Sequence, residues 1–238
     1  MKLAFTGERV LAVMAHPDDA ELLCAGTLAR ARADGAAIGI AVMCRGDKGV
    51  GSATEKPAEL DRVRQQEAAA AAAVLGATLF SAGNGDGELF DTVENRRKLV
   101  AIYREFRPTL VIAHSPADYH VDHRAASAVA EAASWSSASR GHASAADPLQ
   151  THPKLWFADT INMSSFVPDF FIDVSDRLDI KKRMLACHRS QLARDKDADF
   201  FPLSELMLRQ CAARGAEAGV KAAEAFRWHH AFKRLGAF

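Results

Sequence analysis

Two spacings of apolar residues alternate along the chain. Residues 10–15, 37–43 and 109–114 form short runs that are apolar on both faces, as strands buried in a parallel sheet are. Residues 78–82 read as a shorter strand. Between these runs lie segments with helical spacing: 17 to about 33, 60–75, 93–106 and 122–135. Pro17 suits a first helical turn, Gly35 and Gly76 close helices, and Pro108 breaks one. Later strands are predicted at 155–160 and 170–174, and later helices at 176–188 and about 204–213. Strand–helix units joined by short links predict one α/β domain over residues 1–238, with a doubly wound, mostly parallel sheet. Residues 136–153, rich in Ser, Ala, Gly and His, break the pattern and predict a long mobile loop.

Charge removes some partners from this picture. Thirty Lys and Arg balance thirty Asp and Glu among 238 residues, which gives no electrostatic argument for nucleic acid or an anionic membrane. No apolar run reaches the roughly 18 residues a membrane span needs, and the N-terminus has no signal-like apolar region. Cys24, Cys44, Cys187 and Cys211 are scattered without a C-x-x-C pair, as free thiols in a reducing compartment are. A cytoplasmic protein acting on a small molecule is expected, and a homo-oligomer is compatible with it.

Chemistry concentrates at the ends of two strands. His16, Asp18, Asp19 and Glu21 crowd six positions after the first strand. Asp118, His120, Asp122 and His123 follow the 109–114 strand. Sites in open parallel sheets form beyond the carboxyl ends of strands, so two central strands would bring these clusters together. His16, Asp19 and His123 then offer two imidazoles and one carboxylate, a set that suits a hydrolytic Zn²⁺. Asp18 is left over as a general base. His120 lies one helical turn before His123 and could stabilise an oxyanion or protonate a leaving amine, and Asp122 could fix an imidazole tautomer. Taken singly, each cluster also reads as helix-capping aspartates or a solvated helix start. Iron(II)-dependent oxygen chemistry uses the same ligand types, and a non-catalytic sugar-binding protein could keep the fold.

The residues resemble the LmbE-like/PIG-L zinc deacetylases. Ala15-His16-Pro17-Asp18-Asp19-Ala20-Glu21 with Gly26-Thr27 is similar to the first signature, and His120-Val121-Asp122-His123 to the second. Gly46-Asp47-Lys48-Gly49, Arg64-x-x-Glu67, Leu75-Gly76, Asp86-Gly87, Ser190-Gln191 and Ala223-Glu224-Ala225-Phe226 extend the resemblance over most of the chain. Cys24-Ala25-Gly26 departs from the glycine pairs of many members. The resemblance implies a Rossmann-like fold and hydrolysis of an N-acyl group, usually acetyl, from an amino sugar. By position it implies that His16, Asp19 and His123 hold Zn²⁺, with Fe²⁺ as an alternative. Asp18 would activate water, His120 would support the tetrahedral intermediate, and Asp122 would orient His120. Arg64 and Glu67 would help shape the sugar site.

Other signals rank lower. Residues 46–52 lack the order of a phosphate-binding loop and read as a rim loop. His229 and His230 point to opposite faces and make a poor chelate. His114 ends its strand close enough to stand behind the ligands.

Overall fold

A computed structural model describes residues 4–50, 56–142, 144–196 and 202–230. Gly51 and Ser52 of the rim loop, and Ala143 of the long loop, lie outside them.

Seven strands form one sheet in the order β3-β2-β1-β4-β5-β7-β6. The central strand β1 (Arg9–Met14) pairs in parallel with β2 (Ala37–Cys44) and with β4 (Leu110–Ala113). Further parallel pairings join β2 to β3 (Thr78–Asn84) and β4 to β5 (Lys154–Ala158). The last strand, β7 (Ala223–Trp228), runs antiparallel between β5 and β6 (Phe170–Asp173).

Alternation along β1 explains why it is apolar throughout. Val10, Ala12 and Met14 enter the core on one face, and Leu11, Val13 and Ala15 enter the core on the other. The second face is covered by α4 (Val93–Phe106) and α5 (Val121–Ser136). The first face is covered by α1 (Asp19–Leu23), α2 (Ala25–Ala33), α3 (Pro57–Leu75), α6 (Leu178–Leu185) and α8 (Leu203–Ala218). A short α7 (Arg189–Leu192) follows α6. Sheet order reverses between β1 and β4, which puts their carboxyl ends at the topological switch point where α/β sheets bind ligands. No described helix is long and apolar enough to cross a membrane.

The single helix expected over residues 17–33 is two helices. An α-helix would join the Gly26 N–H to the Leu22 carbonyl. Here the Glu224 carboxylate accepts the Gly26 and Thr27 N–H groups at 2.9 and 2.7 Å, and Lys181 Nζ donates to the Leu22 carbonyl at 2.9 Å. Lys181 and Glu224 also pair directly, so a buried ion pair stands where the ladder bond would run. The long connection after α5 carries no helix or strand among its described residues. The buried Arg104 guanidinium donates to the carbonyls of Ser137, Ser139 and Ala146, which ties this connection to α4.

Candidate active site

β1 ends and the chain turns sharply at Asp18, whose φ of 108° lies where few residues other than glycine go. The turn is held from α3. Arg64 Nη2 donates to Asp18 Oδ2 at 2.8 Å and to the Pro17 carbonyl. Asp18 precedes α1 but makes no side-chain cap bond to it, which removes the capping reading of its carboxylate. Gly46 is required beside this pair: its φ is positive, and a Cβ there would sit 2.7 Å from the Arg64 guanidinium.

The two clusters converge at the switch point. Asp19 Oδ2 accepts the His16 backbone N–H at 2.7 Å. The same oxygen lies 3.5 Å from His16 Nδ1 and 3.4 Å from His123 Nε2. These are long for hydrogen bonds. A tetrahedral cation with N and O ligands at about 2.0–2.1 Å separates adjacent donors by roughly 3.4 Å. The spacing therefore fits a metal better than it fits an ion pair. The far nitrogen of each imidazole faces a buried carboxylate: His16 Nε2 lies 3.1 Å from Asp122 Oδ2, and His123 Nδ1 lies 3.0 Å from Asp118 Oδ1. Such partners fix the tautomer and free the opposite nitrogen for a metal.

Electrostatics agree. Burial alone would lower the His16 pKa, but Asp122 and Asp19 raise it to about 10. Burial would raise the Asp19 pKa, but His123 and His114 hold it well below the usual carboxylate range. The pocket thus demands a cation at His16, which a proton or a metal can satisfy. The donor atoms of Asp19, His114 and His123 lie within 4.8 Å of one another, as do those of His16, His120 and His123, so His16 and Asp19 fall in two groups that share His123. A third such group contains Cys44, but burial pushes its thiol pKa up and leaves it a poor metal ligand.

One assignment changes. Asp122 was expected to orient His120. Its carboxylate instead faces His16 and accepts the Gly87 N–H at 2.6 Å, because the loop after β3 passes over the start of α5. His120 is fixed by the backbone: its Nδ1 accepts the Asp122 N–H at 3.2 Å, which leaves Nε2 as the donor of the neutral ring. Burial, with His123 and His16 nearby, lowers the His120 pKa and keeps that ring neutral.

Of the residues predicted to shape the sugar site, Arg64 lines the cavity and Glu67 does not. Glu67 accepts the Ser190 N–H at 2.8 Å and the Ser190 hydroxyl at 2.7 Å, and so caps α7. Glu67→Ala is expected to cost about 1 kcal/mol, the usual worth of a helix cap, with kcat nearly unchanged. Urea unfolding beside steady-state kinetics tests this; a tenfold fall in kcat at native stability would return Glu67 to the site.

Sequence reasoning gave no role to Asp118, Glu21 or His188. Asp118 stands two positions before His120, and that proximity was its signal. His188 is wholly buried, with Nε2 3.5 Å from Glu21 Oε2. It precedes the Ser190-Gln191 pair by two residues, a weaker signal.

The cavity over these groups has a volume of about 340 Å³. His16, Asp18, Asp19, His120 and His123 form its polar floor, with Tyr119, Gly49, Gln191 and Arg194 around them.

Known proteins place this architecture. A sequence profile described as PIG-L, GlcNAc-PI de-N-acetylase, matches residues 11–134. The chain is 28% identical over 197 residues to the diacetylchitobiose deacetylase of Thermococcus kodakarensis, covering 79% of this chain and 72% of that protein. It is 31% identical over 183 residues to the 1D-myo-inositol 2-acetamido-2-deoxy-alpha-D-glucopyranoside deacetylase of Rhodococcus erythropolis, covering 65% and 62%. Among solved structures, GalB, the 4-carboxy-2-hydroxymuconate hydratase of Pseudomonas putida KT2440, superposes with a TM-score of 0.83 over 97% of this chain and 99% of that one. At 23% identity this likeness shows the fold. With the profile spanning more than half of the sequence, both signature clusters included, the chain belongs to the PIG-L (LmbE-like) family.

Proposed function

We propose that this protein is a metal-dependent hydrolase that removes an N-acyl group, acetyl in the simplest case, from an amino-sugar-containing small molecule. The observation that carries the reading is the pairing of two imidazoles with two buried carboxylates, which leaves His16 Nδ1 and His123 Nε2 at metal-edge distance from Asp19 Oδ2. The names of the Thermococcus and Rhodococcus relatives support the amino-sugar amide.

His16, Asp19 and His123 would hold the ion; Zn²⁺ suits this set and Fe²⁺ is compatible with it. When bound, it supplies a Lewis acid that polarises the amide carbonyl and makes water acidic near neutral pH. Asp18, with Oδ2 fixed by Arg64, takes the proton of the attacking water. His120 Nε2–H donates to the carbonyl oxygen as it gains negative charge. The amine leaves after receiving from Asp18 the proton that Asp18 took from water. Asp122 and Asp118 hold the ligand imidazoles in place.

The direct test is amine release from N-acetylglucosamine glycosides before and after chelation. Removing the metal is expected to abolish turnover at least 100-fold, and added Zn²⁺ to restore it. Full activity in protein shown to be metal-free would overturn the metal role. A parallel assay for hydration of unsaturated tricarboxylates tests the chemistry in GalB's name; turnover there, with none of the amides, would replace this reading.

A further inference from the structure

Two unlike sets of side chains line the cavity. The floor is ionic, as described above. The apolar lining, or wall, comes from Leu22 and Leu23 of α1, Ile161 after β5, and Leu203 and Leu206 of α8. None of these side chains can donate or accept a hydrogen bond. Leu22 and Leu23 begin one helical turn after Asp18 and Asp19, so the wall meets the floor beside the reacting amide. Leu22 and Leu23 are nearly fully buried, and Ile161 and Leu203 pack on the core with part of their surface open.

Resting on the deacylase reading, we infer that the substrate carries an apolar group of several carbons, alkyl or aryl, on its amino sugar, and that this wall receives it. A volume of about 340 Å³ stands near the small end of ligand pockets. That leaves space for one sugar ring and a short substituent. A second sugar ring placed against this wall would bury hydroxyls with no side-chain partner, which disfavours chitooligosaccharides. An apolar group gains there what the hydroxyls would lose. The group can enter as an N-acyl chain longer than acetyl or as the aglycone at the anomeric carbon. The chemistry against the wall is the same in both cases. Either way the reaction balances as amide plus water giving carboxylate plus protonated amine.

Two substrate series test this on the metal-loaded protein. The first lengthens the acyl chain of N-acylglucosamine from acetyl to octanoyl. The second keeps N-acetyl and lengthens the alkyl glycoside from methyl to octyl. kcat/KM is expected to rise about fourfold per methylene over the first few carbons in one series, the equivalent of about 0.8 kcal/mol each. The series that rises identifies the source of the group. Diacetylchitobiose is expected to be slower than the best member. In Leu203→Asn and in Leu206→Asn, the ratio of long-chain to short-chain kcat/KM is expected to fall at least threefold; each ratio is internal to one variant and is unaffected by lost folded protein. Flat or falling kcat/KM in both series, with the N-acetyl methyl glycoside turned over, would overturn the apolar subsite and leave the deacylase reading standing. No amine from any member would instead sink the deacylase reading.

Discussion

Asp18→Asn is expected to lower kcat for amide hydrolysis by about 10²–10⁴-fold, the usual worth of a positioned general base, while the bound metal is retained. The substitution removes the proton acceptor, and with it the negative charge that faces the buried Arg64 guanidinium. Asn has the shape of Asp and also tolerates positive φ, so the turn at 108° survives. It cannot accept a proton from water. Burial raises the Asp18 pKa, and the Arg64 guanidinium opposes that without cancelling it, so the carboxyl is a better base than an exposed one. Asp19 and the two imidazoles remain, so metal content per chain stays at the wild-type level by elemental analysis. Undiminished kcat in a metal-replete, folded Asp18→Asn protein would remove Asp18 from proton transfer.

What the sequence disclosed follows how local each interaction is. Residues 10–15 and 109–114 are apolar on both faces because each side of those strands enters a separate core, and that pattern is visible without coordinates. Strands that central end at the switch point, so their flanking histidines and aspartates could be placed together. The break between α1 and α2 was hidden, because Glu224, nearly two hundred residues away, takes the N–H groups that would have continued the ladder. Strand β7 was hidden too. It is six residues long and enters the sheet antiparallel between β5 and β6, after a helix that gives no sign of the reversal. The same rule divides the site. Asp19 is next to Asp18 in sequence, but the partner that fixes Asp18 comes from α3, and the carboxylate behind His16 is Asp122. Helical spacing shows Arg64 and Glu67 three apart on one side of α3. It does not show that one reaches the cavity while the other caps α7.

The largest loss of stability is expected from Glu224→Ala. Lys181 Nζ is wholly buried, 2.5 Å from Glu224 Oε1, and Glu224 also serves two backbone N–H groups at the start of α2. Burial alone would lower the Lys181 pKa; Glu224 reverses this and keeps the ammonium charged. Removing Glu224 leaves that charge in the core without a counter-ion, which costs about 3–5 kcal/mol. At roughly 2–4 °C per kcal/mol for a chain of this size, Tm should fall by about 10 °C. Replacing both partners, as in Lys181→Met with Glu224→Leu, is expected to recover most of this. The buried charge is then gone, and the Gly26 N–H and Leu22 carbonyl are free to form the helical bond that the ion pair displaces. Thermal unfolding of Lys181→Met, Glu224→Leu and the double variant makes a cycle whose coupling should exceed about 2 kcal/mol. A Glu224→Ala protein that unfolds within 1 kcal/mol of wild type would show that the pair contributes little, and that α1 and α2 are held apart by the packing of their side chains alone.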